Sequence, residues 1–534
     1  MPQKKKFYIT TPIYYASGRP HIGHSYTTVL ADALARWQRF KGADVMFLTG
    51  LDEHGEKVEE KARLAGVEPQ EYVDRINEDY VEVWKKLDIS YDRYIRTTGA
   101  DHMRRVQAIF QRLVDSGDIY PGSYEGLYCT PCEAYWLPSQ LDEDGNCPDC
   151  HRELRRMSEP SYFFRLSKYQ KPLEELFARE EPFLVPAGSA REMINNFLKP
   201  GLQDLAVTRS AFDWGVVAPN DSKFVIYVWI DALLNYITAM GYPDNTADME
   251  RYWPADIQLV GREIVRFHTL IWPAFLMALD LPVPKKVYAH GWLLFDNVKM
   301  SKSLGNVVDP LVLAERYGVD SIRYYLLSEM GYGVDGSYTN SDFLQRINTD
   351  LVNNLGNLLS RTTAMINKYF DGVLPYVSNV ECSSEESEWD LDLRNAGESL
   401  FHQVDTAMAE PRAANALDHI FTFAARCNKY IDLTEPWVLG RDAAHRDRLA
   451  VVLRNLSDGL RIIAALLQAF LPRTAAAMAE ALGLSAAPEQ LTWEQVQVWG
   501  VWQPTEKIAG GVHLFSRLDV DAEIEALNKI YSEQ

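Results

Sequence analysis

Cysteine is scarce in this chain, with six in 534 residues, too few for a disulfide scaffold at this size. No apolar run reaches the roughly 18 residues of a membrane span; residues 462–471 come nearest, and Gln468 interrupts them. The basic opening Lys4-Lys5-Lys6 leads into no apolar stretch of signal-peptide length. Basic charge is also in deficit: 54 Lys and Arg stand against 74 Asp and Glu, a net −20. No global positive field therefore advertises a polyanion partner, although a local basic surface would suffice for one. Internal repeats are absent too. What remains, at 47% hydrophobic and 24% charged, is ordinary globular composition with length for about three to four domains. The expectation is a soluble, cytoplasmic, multidomain protein.

Residues 7–11 read as a short strand, followed by a loop over 12–20. Apolar residues at Tyr26, Val29, Leu30, Ala33, Leu34, Trp37 and Phe40 then mark a helix buried on one face, with Gly42 placed to end it. Residues 45–49 form a second strand, and another helical pattern starts at Glu56. Strand, loop, helix, strand at this pitch predicts a parallel sheet with crossover helices, whose ligands sit beyond the carboxyl ends of the strands. From about Tyr120 the pattern breaks into a stretch with four cysteines and several prolines. Strand-like runs resume at 224–230, 257–260 and 286–289. After Asp342 the chain reads as helices, over 344–369, 400–434, 446–471 and finally about 520–531. Residues 371–392 hold acids and no base, the pattern of a solvated inter-helix loop.

Three constellations carry chemistry. His21-Ile22-Gly23-His24 enters the first long helix, where backbone N–H groups and the dipole favour an anion and Gly23 admits a ligand to the backbone. Two surface histidines, or half a metal site, are the plainer readings. The Gly-x-Gly-x-x-Gly of a dinucleotide fold is missing from this place. Lys299-Met300-Ser301-Lys302-Ser303-Leu304-Gly305-Asn306 follows the last strand candidates and suits a phosphate clamp, although exposed basic loops are common. Cys129-x-x-Cys132 and Cys147-x-x-Cys150, with Asp144-Gly145 turning between them, fit a closed, structural zinc site of four cysteines. His151 is a weaker candidate ligand, and Cys382 and Cys427 fall outside the pattern.

His-Ile-Gly-His and Lys-Met-Ser-Lys-Ser, in this order on two halves of a split α/β region, resemble the class I aminoacyl-tRNA synthetases, the methionyl family in particular. Residues 11–15, 51–55, 227–232, Phe267-His268 and 428–437 extend the likeness over essentially the whole chain. The resemblance implies a Rossmann-like catalytic domain split by a zinc-containing insertion and followed by an all-α anticodon-binding bundle. The boundaries expected are 1–118 and 224–342 for the catalytic halves, 119–223 for the insertion and 343–534 for the bundle. It implies ATP-dependent activation of L-methionine to methionyl-adenylate, then transfer to the 3′ end of tRNA(Met), initiator tRNA included. The substrate carboxylate is the nucleophile, so the protein supplies position and charge.

Carried over residue by residue, the resemblance assigns nucleotide contacts to His21, Gly23, His24 and Lys302, with Lys299 beside it. Methionine contacts fall to Ile13, Tyr15, Asp52, Trp229, Tyr236, Ile264 and His268, with Asp52 facing the ammonium. Anticodon contacts fall to Asn357, Arg361 and Trp437. One structural Zn2+ on Cys129, Cys132, Cys147 and Cys150 and Mg2+ with ATP complete the expectation. The chain departs from the family at Gly261-Arg262-Glu263-Ile264, where many members have Gly-Lys-Asp-Ile, and at Leu304, often a lysine. It carries no appended dimerisation module, so a monomer is expected. The cysteinyl enzyme, a small-molecule nucleotidyltransferase and a non-catalytic zinc-ribbon RNA-binding protein are the alternatives.

Overall fold

A computed structural model describes residues 4–132, 134–136, 141–298, 308–373, 387–485, 491–501 and 507–532. The loop at 299–306, with Lys299 and Lys302, and Cys382 with its neighbours lie outside the described residues. The chain divides into two compact units, Met1–Ala31 with Asp44–Trp292, and Asp32–Ala43 with Leu293–Gln534.

The first unit is built on a seven-stranded sheet: β1 (Lys6–Thr10), β2 (Tyr14–Tyr15), β3 (Asp44–Asp52), β4 (Arg93–Arg96), β5 (Leu184–Val185), β6 (Ile257–Gly261) and β7 (Val287–His290). Every pairing is parallel, in the order β4-β3-β1-β6-β7-β5, and β2 pairs further along β3. Cover on both faces, as in all-parallel sheets, explains why β3 is buried from Val45 to Asp52 without alternation. Gly50 lets β4 come close, since a Cβ there would meet the Ile95 carbonyl oxygen at 2.1 Å. Central β1 has β3 on one side and β6 on the other, so the loops leaving β1 and β6 start from neighbouring carboxyl ends. Such a crevice is where open parallel sheets bind ligands.

The insertion forms its own antiparallel sheet, with Ile119–Cys129 paired along Arg155–Phe164 and flanked by Ala134–Trp136 and Leu205–Ala206. Leu184–Val185, within the same stretch, leaves it to become the edge of the main sheet, where Leu184 registers with Val287. The run at 224–230 is not one strand. Val225–Ile226 pairs with Thr208–Arg209, and a helix begins at Val228 and runs to Thr238. Ten of its residues are buried, and a helix buried on all sides shows the same unbroken apolar run as a core strand.

The second unit is mostly helical. The region expected as one helix over 400–434 is two, Glu388–Ala409 and Ala413–Thr434, parted at Pro411, which has no N–H to donate. Arg446–Leu467 is buried along nearly its whole length. Asp32 and Arg323, both fully buried, pair at 2.7 Å. Among the described residues no helix is long and apolar enough to cross a membrane.

Candidate active site

Helix Ile22–Phe40 starts immediately after His21, and the two histidines of the motif cap it. The Gly23 N–H donates to His21 Nδ1 and the His21 N–H donates to His24 Nδ1, each at 3.1 Å. This is the reciprocal logic of a capping box, with imidazoles in place of Ser and Glu. Because both Nδ1 atoms accept, each neutral ring carries its proton on Nε2, as a donor suited to phosphate oxygen. The rings lie 3.9 Å apart, and Tyr14 packs edge-on against His24.

Two strand ends bring Tyr15 and Asp52 together as register partners, with Asp52 at the carboxyl terminus of β3 and buried. A second group gathers on the helix Val228–Thr238 and the turns after β6. Trp229 stacks on Phe267 at 3.7 Å and 8°. The Tyr236 hydroxyl lies 2.8 Å from His268 Nε2, and His268 Nδ1 lies 2.9 Å from the Ile264 carbonyl oxygen. A carbonyl only accepts, so Nδ1 holds the proton and Nε2 accepts from Tyr236. Burial drives the His268 pKa down to about 4, so this polar pair is uncharged at neutral pH. A half-buried stacked indole beside an uncharged polar pair suits a thioether, whose sulfur packs well on aromatic rings. Ile13 and Ile264 are half-buried nearby in sequence.

Three residues that carried no sequence assignment join these groups. His54 Nδ1 donates to Asp231 Oδ2 at 2.7 Å, and His102 Nε2 donates to Asp231 Oδ1 at 2.8 Å. All three are buried. Burial pushes the Asp231 carboxyl up, but His54 and His102 outweigh it and hold the pKa near 2. His54 lies two residues past Asp52 and Asp231 two past Trp229, so their bond fixes the first group against the second. His54 and Asp231 lie inside stretches that carried the resemblance. His102 lies in none, and Phe267 carried no assignment beside His268. At the departing segment Gly261-Arg262-Glu263, the Trp292 Nε1 donates to Glu263 Oε2 at 2.7 Å and Arg262 lies over the Trp292 ring.

Cys129, Cys132, Cys147 and Cys150 converge, with all four sulfurs within 4.8 Å of one another. Cys129 and Cys150 are 3.5 Å apart, and Cys132 and Cys147 3.9 Å. A regular tetrahedron with Zn–S bonds of about 2.3 Å has edges of about 3.8 Å, so the donor set fits zinc. The shared protons already pull Cys129 down to about 5 and push Cys132 up. His151 turns away, its Nδ1 2.9 Å from Asp142 Oδ2.

In the second unit Asn357 and Arg361 lie one turn apart on helix Asn357–Phe370. The Arg361 guanidinium lies 5.8 Å from the Trp437 ring and donates to Asp432 at 2.9 Å. Trp437 is 36% exposed, just after Pro436 opens a short helix.

The chain matches the family described as tRNA synthetases class I (M) over residues 7–158 and 152–363. It is 54% identical to a methionine–tRNA ligase of Caldanaerobacter subterraneus subsp. tengcongensis, covering 98% of this chain and 81% of that one. A methionine–tRNA ligase of Clostridium tetani is 50% identical over 99% of this chain and 81% of its own length. The crystal structure of Mycobacterium tuberculosis methionyl-tRNA synthetase bound by methionyl-adenylate superposes with a TM-score of 0.90 at 37% identity. That match covers 96% of this chain and 100% of the other. With its parallel sheet, histidine-capped helix and four-cysteine cluster, the chain belongs to the methionine–tRNA ligase family of class I tRNA synthetases.

Proposed function

We propose that the chain carries out its family's two steps through the residues assembled above. Methionine and ATP give methionyl-adenylate and pyrophosphate, and the methionyl group then passes to the terminal adenosine of tRNA(Met). The bond between His54 and Asp231 supports this reading, because it ties the strand end that carries Asp52 to the helix that carries Trp229. Asp52 takes the substrate ammonium, and Tyr15, Ile13, Trp229 and Ile264 enclose the thioether. Tyr236 and His268 place an uncharged polar pair by the sulfur, which disfavours charged side chains of similar length.

The methionine carboxylate attacks the α-phosphorus, a P–O bond forms and the bond to the β-phosphate oxygen breaks. His21 and His24 donate Nε2–H to the phosphates, and Gly23 leaves the backbone open to them. Lys302, with Lys299, neutralises the departing pyrophosphate, and Mg2+ bound with ATP would add to that neutralisation. Such donors contribute most because they are positioned before the charge develops. Cys129, Cys132, Cys147 and Cys150 would hold Zn2+, which would brace the insertion in a structural rather than a catalytic role. Residues 1–118 and 224–342 serve as the catalytic halves, 119–223 as the insertion and 343–534 as the anticodon bundle. There Asn357 and Arg361 read base edges and Trp437 stacks. The enzyme works in the cytoplasm, as a monomer.

The test is amino-acid-dependent ATP–pyrophosphate exchange without tRNA, with methionine beside cysteine, leucine, isoleucine and valine. Exchange with methionine alone is expected. Exchange led by cysteine or valine would overturn the pocket assignment, and none with any of the five would overturn the activity.

A further inference from the structure

Arg266 sits between the metal cluster and the methionine pocket and belongs to neither assignment. It directly precedes Phe267, the ring on which Trp229 stacks. Its guanidinium carbon lies 4.1 Å from the Trp136 ring, 4.8 Å from Phe267 and 5.6 Å from Phe197. Trp136 is buried on the insertion strand Ala134–Trp136, four residues from Cys132. Arg266 thus bridges the cysteine-bearing insertion and the turn that carries Phe267 and His268. Burial works against its charge, and the groups that favour that charge are Asp149, Tyr227, Cys147 and Cys132. Two of these are ligands of the cysteine cluster.

Four thiolates around Zn2+ carry a net charge of −2, which a partly desolvated site must balance with a nearby cation. A guanidinium suits the position better than an ammonium, because it is planar, weakly hydrated and stacks on rings. We infer that Arg266 is the counter-cation of the four-cysteine zinc centre and, stacked between Trp136 and Phe267, the positioning residue that ties this centre to the methionine pocket. It touches neither substrate nor metal. Its charge retains the zinc, and its plane holds Phe267 under Trp229. This rests on the zinc and methionine assignments proposed above.

The experiment uses the full-length zinc-loaded enzyme with Arg266→Met and Arg266→Lys. Zinc release to a chromogenic chelator is timed, and the KM values for methionine and ATP are measured by pyrophosphate exchange. Outer-shell partners of metal ligands are typically worth about 10–100-fold, so Arg266→Met should release zinc faster by that order. Its methionine KM should rise while its ATP KM holds. Arg266→Lys should recover most of the zinc retention, since the charge remains, but not the methionine KM, since the planar stack is lost. Unchanged release from Arg266→Met would overturn the counter-charge role. Equal rises in both KM values, or a wild-type methionine KM in Arg266→Lys, would overturn the link to the pocket. If Arg266→Met fails to fold, Arg266→Lys alone decides: loss of zinc as fast as from a ligand variant such as Cys150→Ser would overturn the proposal. Wild-type protein that holds no zinc, or exchanges no methionine, would instead refute the assignments beneath it.

Discussion

Each unit of this chain has a buried aspartate at the hub of a polar network, and the two hubs are wired differently. Asp231 in the first unit accepts from His54 and His102. Asp390 in the second accepts from Arg448 at 2.6 Å, from Asn455 at 3.1 Å and from the Tyr430 hydroxyl, and it caps its own helix with Ser387. Arginine stays charged at every relevant pH and comes with a fork that fixes direction. Imidazole can shed its charge and change tautomer. Asp390 therefore locks three helices, Glu388–Ala409, Ala413–Thr434 and Arg446–Leu467, into one arrangement. Asp231 joins the turn after β3 and the helix that carries His102 to the helix Val228–Thr238 through two imidazoles. The arginine-wired hub is therefore expected to carry more of the fold's stability than the histidine-wired one.

The sharpest way to break this contrast is Asp390→Ala. Arg448, only 16% exposed in its side chain, would lose its counter-charge, and breaking one side of a buried pair costs about 3–5 kcal/mol. Denaturant unfolding of the full chain should show that loss, and Arg448→Met in the same background should recover part of it. A loss below about 1 kcal/mol would mean that Asn455 and Tyr430 alone hold the helices.

Acid should expose the first unit's histidine chemistry next. His268 has its pKa near 4 when folded against 6.5 in an open chain. Between these values the unfolded state binds the extra proton, so stability falls as pH drops from about 6.5 to about 4 and is flat below. The 2.5-unit gap corresponds to about 3 kcal/mol at most. His268→Gln should remove that slope between pH 7 and 4.5, and an unchanged slope would place the titration elsewhere.

How much of this was legible beforehand follows the range of the contacts. The strands at β1, β3, β6 and β7, the histidine-entered helix and the paired Cys-x-x-Cys knuckles are local patterns, and each lies where the pattern put it. His102 and Asp231 are 129 residues apart, and no spacing rule reaches that far. Arg266 carried no assignment, because its ring partners Trp136 and Phe197 arrive from the insertion. The run at 224–230 misled for another reason: a strand in a core and a helix inside one have the same composition. Leu184–Val185 is a two-residue strand, shorter than any periodicity can register.

Asp231→Asn sharpens the comparison from the other side. It keeps the shape and removes the charge, so one imidazole must change tautomer and one charge-assisted bond becomes neutral. Bonds of that kind are worth about 1.5–3 kcal/mol, less than the loss expected at Asp390. The methionine KM should rise with it, because His54 no longer ties the strand end that carries Asp52 as firmly to the helix that carries Trp229. Asp231 is depressed to about 2 by its histidines, against the push of burial. Its contribution is therefore full above the ordinary carboxylate range and fades only between about pH 4 and 2. As pH falls from about 4 to 2 the difference between the wild type and Asp231→Asn should shrink, and a difference that stays constant there would assign the network's charge to something else.

The smallest change in stability should come from Trp437→Ala, because Trp437 is exposed and lies outside both networks. Its ring meets Arg361 at 5.8 Å, a distance at which an exposed cation–π pair contributes about 0.5–1 kcal/mol. Unfolding and methionine-dependent exchange should be almost unchanged, whereas charging of tRNA should weaken by the roughly 1–3 kcal/mol that base stacking on an aromatic ring supplies. That split would separate a surface kept for RNA from the interior kept for the amino acid. Equal loss in exchange and charging would remove the anticodon role from Trp437 and make it part of the fold.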